Sequence, residues 1–291
     1  MKLSKLKIDP ANFEKEEEVI DYLQMHKAAR IHIDVEPPRP PLAISIGLDD
    51  REYKGVRYPR KFASMGNISV IMGEEKSRKS FLRSLIIACS IGGNANNFSE
   101  DIKGHNLQDK YIIDLDTEQA PYDCWLNAIR IPEMVGAVPD NYLYLGLRDK
   151  SKKEIRGYLE WLFMESEFRN KLGITCIDGY VDCVDDFNSL TESDDFTRKL
   201  MKYSAVSKSH ITGVLHLNPG SDKGRGHFGT ILAQKSEMVA ICKDEGDFSS
   251  VRCKRIRGGK KFDEFTIRVD DNWLPFVSDD EIGLTGNPKL I

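Results

Sequence analysis

Long apolar runs are missing: nothing in the 291-residue chain approaches the roughly 18 consecutive apolar residues of a membrane-crossing helix. The opening stretch, MKLSKLKIDPANFEKEEE, lacks the apolar middle of a secretory signal, so a cytoplasmic location is expected. Paired cysteines are missing too. Six thiols, at Cys89, Cys124, Cys176, Cys183, Cys242 and Cys253, include no C-x-x-C pair, which argues against a zinc site or a disulfide framework and predicts reduced core thiols. Nor is there an excess of positive charge. A net charge of −4 and a pI near 5.9 exclude a protein that coats nucleic acid with its whole surface. No internal repeat is visible. What remains, 40% hydrophobic and 30% charged, suffices for a substantial core and rules out disordered and fibrous classes.

The first sixty residues differ from the rest. FEKEEEVIDYLQMHKAA places Phe13, Val19, Ile20 and Leu23 at helical spacing among acidic residues, which predicts one amphipathic helix. Four prolines among residues 37–41 then forbid helix and favour an extended linker. Residues 1–60 are therefore expected to form an N-terminal arm and residues 61–291 one large domain. From about residue 61, short apolar runs (NISVIM, KYIIDLD, NYLYLGL, GITCID, ITGVLHLN) alternate with amphipathic helical patterns. That alternation implies an α/β fold, a mostly parallel sheet with helices on both faces. After residue 236 the helical patterns stop, and EMVAICKDE, SSVRCKRIR and FDEFTIRVD read as antiparallel strands extending the sheet.

Between the first strand and the first helix lies GEEKSRKSF, residues 73–81. It fits the phosphate-binding pattern G-x-x-x-x-G-K-[ST] at Gly73, Lys79 and Ser80, but Arg78 stands where the second glycine belongs. Such a loop works because backbone N–H groups and the helix N-terminus point at the anion while the lysine adds a point charge. Arg78 either bends the loop differently or adds a phosphate contact. The bland alternative is a charged surface turn opening an ordinary helix. Three strand tips weigh against it. GITCID ends in Asp178, at the tip of a central strand expected to lie beside the first, where a carboxylate can hold Mg²⁺. YIIDLDTEQ carries Glu118 just past its end, where a glutamate can orient and deprotonate an attacking water. Asp116 and Thr117 read instead as helix caps, with Asp116 and Asp185 the fallback bases. VLHLN puts His216 and Asn218 at the same edge, ahead of a Gly- and Lys-rich loop.

One basic strip stands out. Residues 251–261, VRCKRIRGGKK, hold six Lys or Arg within ten positions, and KGRG at 223–226 adds two. Alternating cations on an edge strand are also a normal guard against sheet-to-sheet aggregation.

Taken in order, these motifs resemble the RecA-like P-loop ATPases, nearest to the RepA- and DnaB-type hexameric helicase ATPases of plasmids, phages and mobile elements. The resemblance covers about residues 61–275. It implies a RecA-like core with C-terminal antiparallel strands, and ATP and Mg²⁺ as cofactors. Gly73, Glu74, Glu75, Lys76, Ser77, Arg78, Lys79, Ser80 and Phe81 would form the nucleotide loop, with Ser80 and Asp178 on the metal. Glu118 would be the base and His216 the sensor. KGRGHFG would lie in a loop facing a central channel. Arg257, with Lys254, would be a finger completing the neighbouring subunit's site. A homo-oligomer, most readily a hexamer, acting on single-stranded DNA is expected, with the arm contacting a replication or mobilisation partner. Two other functions fit the chain: a weakly hydrolysing nucleotide-binding switch or loader working through partner proteins, and a small-molecule kinase. The terminal strands leave no place for the lid a kinase carries between late helices.

Overall fold

The structure, a computed structural model, describes the backbone of residues 21–53 and 55–278. The chain divides into two units, residues 1–39 and 40–291. In the first, helix α1 (Tyr22–Ala29) is capped by Asp21, whose Oδ1 accepts from the backbone N of Gln24 at 2.9 Å; none of its residues is buried. Of the amphipathic stretch predicted from Phe13 onward, Phe13, Val19 and Ile20 lie outside the described residues.

The second unit begins at Pro40, not at residue 61. Strand β1 (Leu42–Tyr53), within the residues expected to form the arm, and β2 (Val56–Ser64), which straddles the expected boundary at residue 60, pair as an antiparallel hairpin. With β4 (Ile102–Gly104) on its other edge, β1 forms a small three-stranded sheet. The hairpin is tied down by a buried polar cluster. Glu237 accepts from the Ser64 backbone N–H at 2.6 Å and from its hydroxyl at 2.8 and 2.9 Å, and pairs with Lys61 at 3.2 Å. His210 is wholly buried beside it, and burial lowers its pKa. Because a carbonyl can only accept, its Nδ1–H donates to Ser64 O at 2.9 Å.

The main sheet has nine strands: β3 (Ser69–Gly73), β5 (Tyr111–Asp116), β6 (Tyr142–Gly146), β7 (Leu172–Asp178), β8 (His210–His216), β9 (Met238–Asp244), β10 (Ser249–Ile256), β11 (Phe265–Val269) and β12 (Pro275–Ser278). Their order is β12-β11-β10-β9-β3-β8-β7-β5-β6. From β9 to β6 every pairing is parallel; β9 therefore joins the parallel part, although its sequence suggested an antiparallel strand. The pairings β9–β10, β10–β11 and β11–β12 are antiparallel.

The two faces of this sheet carry separate cores, as the two-residue period of a strand requires. Ile71 packs with α2 (Lys79–Ile91) and α3 (Pro121–Val135). Its neighbours Val70 and Met72 pack with α4 (Lys152–Met164), α5 (Leu190–Ser207) and α6 (Gly226–Lys235). Helix α6 takes in Gly226, His227 and Phe228, which the sequence reading had placed in a loop; Phe228 is fully buried and anchors the helix. Helix α4 opens with the reciprocal Ser151–Glu154 capping box. All six cysteines are free and buried, as expected. Among the described residues no helix is long and apolar enough to cross a membrane.

Candidate functional site

Parallel strands present their C-terminal tips at one edge of the sheet, where ligands of open α/β folds bind. The tips of β3, β8, β7 and β5 carry Gly73, His216, Asp178 and Asp116, and the pairing sets Gly73 opposite His216 and Asp178 opposite Asp116. Asp178 is not on the strand next to β3, as the sequence suggested, because β8 lies between them.

The loop after β3 is compact. Ser77 N–H and Oγ–H both donate to Glu74 O, at 3.4 and 2.8 Å, and Cys242 donates its thiol to Ser77 O at 2.7 Å. A Cβ on Gly73 would come within 2.4 Å of both Cys242 O and Ser77 Oγ, so only glycine fits there. Lys76 and Arg78 both adopt positive φ, 62° and 59°. At Arg78 this is the left-handed conformation that the missing glycine would have supplied freely. Its guanidinium is committed to the β9–β10 turn, donating to Asp244 at 2.7 Å, Gly246 O at 2.5 Å, Phe248 O at 3.0 Å and Ser249 Oγ at 3.1 Å. Arg78 thus keeps the glycine's backbone role and uses its side chain as a brace.

Lys79, the first residue of α2, is only 6% exposed; its Nζ donates to Glu74 O and, at 3.3 Å, to Ser77 Oγ. Burial lowers its pKa, against the attraction of Asp178, Glu118 and Glu75. Ser80 donates its hydroxyl to Asp178 Oδ2 at 3.2 Å. Phe81 stacks with Trp273 at 6.4 Å between ring centroids, and the Arg130 guanidinium sits 4.0 Å from its own centroid. Trp273 is 69% exposed at a φ of 63°, on the turn between β11 and β12.

Glu118 stands beside Asp178: a Cβ on the intervening Gly179 (φ 93°) would reach 3.2 Å from Glu118 Cγ. Burial, then Asp178, Asp182 and Asp116, push the Glu118 carboxyl up to about 7. Asp116 caps a turn rather than the helix, its Oδ1 accepting from the N–H groups of Glu118 at 3.0 Å and Gln119 at 2.8 Å. Thr117 links strand tips by donating to Asp178 O at 2.9 Å and Asp182 at 2.7 Å. Helix α3 has Ala120 in cap position, without a side-chain cap, so the helix-cap reading fails for both residues. Asp185 pairs with Arg156 at 2.8 Å. His216 is half-buried; burial and then Lys79 lower its pKa, so it is neutral at pH 7. Asn218 closes its own loop, donating N–H to Lys223 O at 2.9 Å.

Arg257, within the basic strip, lies away from this site. Arg257 N–H donates to Glu237 O at 2.7 Å and its guanidinium to Gln234 O, at the end of the sheet opposite the loop. There Ile256 pairs with Met238, whereas Gly73 pairs with Cys242, four residues or about 13 Å further along β9. Arg252 pairs with Asp222, and Lys254 donates to Asp222 O.

Below the loop lies a residue the sequence reading missed. Arg83, one helical turn after Lys79, is 1% exposed and faces Asp178 at 2.5 Å, Asp114 at 3.5 Å and Asp116 at 3.8 Å. An arginine inside an apolar helical run was its only trace in the sequence. Among the described residues no cluster of three or more His, Cys, Asp or Glu forms a metal cage. Ser80 Oγ and Asp178 Oδ2 are nonetheless a pair of hard oxygen donors suited to Mg²⁺, which takes one or two protein oxygens and completes its shell with phosphates and water. No protein-family model matches the chain, and no curated protein matches it.

Proposed function

We propose that the chain is a RecA-like P-loop ATPase that binds Mg²⁺–ATP and acts on DNA as a helicase-like motor in replication or mobilisation of a plasmid, phage or mobile element. The observation that carries the nucleotide reading is the Ser80–Asp178 contact of 3.2 Å at the mouth of a strand-loop-helix turn, with Glu118 beside it. Backbone N–H groups of residues 74–79 and the N-terminus of α2 would receive the phosphates. Lys79 would leave Glu74 O for the β- and γ-phosphates. Ser80 and Asp178 would hold Mg²⁺, which neutralises phosphate charge when bound. Glu118, titrating near neutrality, would orient the attacking water and accept its proton. Neutral His216 would sense the γ-phosphate from the next strand tip, and the nucleobase would rest against Trp273 and Phe81.

Action on DNA and ring assembly rest on the order of the motifs; Arg257, remote from its own loop, is placed to serve a neighbour if it serves any site. A second reading, the weakly hydrolysing switch or loader, draws on α1, where Tyr22, Leu23 and Met25 are exposed and available to a partner protein. ATP turnover with and without single-stranded DNA, together with mass measurement with and without ATP, separates the two. Stimulated turnover with assembly supports the motor; binding without turnover supports the switch.

A further inference from the structure

Arg83 is a charge buried in a place that ordinary fold stability does not explain. Moving a guanidinium into a protein interior costs several kcal/mol that ion pairs only roughly offset. Packing alone would be served as well by leucine or methionine on the inner face of α2. Its position on the helix is informative: Arg83 follows Lys79 by four residues, one turn along the same face, and where Lys79 reaches back into the loop Arg83 reaches the carboxylates of β5 and β7. Three carboxylates, Asp114, Asp116 and Asp178, converge there, each buried. They are not held alike. Tyr142 donates its hydroxyl to Asp114 at 3.1 Å, and Tyr144 donates to Asp116 at 2.7 Å. Asp116 also accepts two backbone N–H bonds. Asp178 has no such tyrosine. Ser80 donates to its Oδ2, and the Arg83 Nη1 makes its shortest ion pair with the same oxygen, 2.5 Å against 3.5 and 3.8 Å for the other two carboxylates.

We propose that Arg83 is a positioning residue for the divalent cation: it holds the Asp178 carboxylate in place against Ser80. The proposal rests on the nucleotide reading above. With the guanidinium gone, three buried carboxylates on neighbouring strands would repel one another, and Asp178, left with only the 3.2 Å bond from Ser80, would turn away from its place. Arg83 is 1% exposed and lies behind the loop, so its loss would weaken the response to Mg²⁺ more than the response to nucleotide.

The test is equilibrium binding of a fluorescent ATP analogue as Mg²⁺ is varied, beginning in EDTA. Arg83→Met alone leaves the carboxylates uncompensated, so Arg83→Met is combined with Asp114→Asn, which removes one buried charge of each sign, and Asp114→Asn alone is the control. The expected result is unchanged affinity in EDTA, with the Mg²⁺ needed for half of the cation-dependent tightening raised at least tenfold in the double variant and not in the control. Arg83→Lys, which keeps the charge but not the planar fork, should give an intermediate shift, and it alone decides if the double variant does not fold. A wild-type Mg²⁺ midpoint in a folded Arg83 variant overturns the proposal. Failure of the wild-type protein to bind the analogue under any condition instead removes the nucleotide reading itself.

Discussion

At the scale of single residues, Glu118 and Arg78 behave in opposite ways. Glu118 is a carboxylate held near neutrality by burial and acidic neighbours. Below about pH 7 it carries a proton and cannot serve as base, so turnover should rise with pH through about 7 and then level off. Glu118→Gln keeps size and hydrogen bonding but removes basicity. It should bind ATP as wild type does, lose about 100-fold or more in turnover and lose the pH step. Unchanged turnover would reduce Glu118 to a loop residue. Arg78 looks in the sequence like a defect in the loop or an extra phosphate ligand, and the structure separates these: its backbone is left-handed and its side chain braces the β9–β10 turn. Arg78→Gly relieves about 1 kcal/mol of left-handed backbone cost but forfeits four side-chain hydrogen bonds. Nucleotide affinity should change less than about threefold, while the melting temperature falls slightly. A tenfold loss of affinity in a calorimetric titration would mean that the guanidinium does reach phosphate.

Among the elements, the β1–β2 hairpin is where the sequence misled. Its strands follow a proline cluster, and β1 contains Gly47 and consecutive acidic residues, so the run from residue 42 lacks a strand's clean alternation. What holds the hairpin is remote in sequence: Glu237 lies 173 residues from Ser64. Glu237→Ala should therefore destabilise the fold by about 3 kcal/mol in urea unfolding, since it strands a buried N–H, a hydroxyl and Lys61. A change within 0.5 kcal/mol, roughly that of an ordinary surface substitution, would show that the cluster is incidental. The parallel strands were legible because buried strands read as continuous apolar runs flanked by helical periodicity. Helix α6 was not. KGRGHFG is rich in glycine, and only burial of Phe228 reveals that a helix starts inside it. In the site, Lys79, Ser80, Glu118 and Asp178 were legible from their places after strand ends. Arg83, Trp273 and Tyr144 were not, because their roles depend on which strands neighbour one another.

For the whole molecule, the proposal would link assembly to chemistry through Arg257, which lies about 13 Å along the sheet from the level of its own loop and is tied to the end of α6. Arg257→Ala should leave ATP binding by the isolated subunit intact and cut turnover. Mixed with Lys79→Ala protein, it should regain partial activity, because some boundaries then join an intact loop to an intact finger. Co-assembly without any recovery would remove the role in trans. The central claim, that residues 73–81 form a nucleotide site, meets its most direct test in ATP binding by wild type and Lys79→Ala, with melting recorded alongside. The Lys79 ammonium bonds only Glu74 O and Ser77 Oγ within its own loop, so its removal should spare the fold. The account predicts ATP binding by the wild type in the presence of Mg²⁺ and a loss of at least about 100-fold in affinity in the variant, at similar melting temperatures. Equal affinity in the two proteins, or no binding by the wild type, would contradict it.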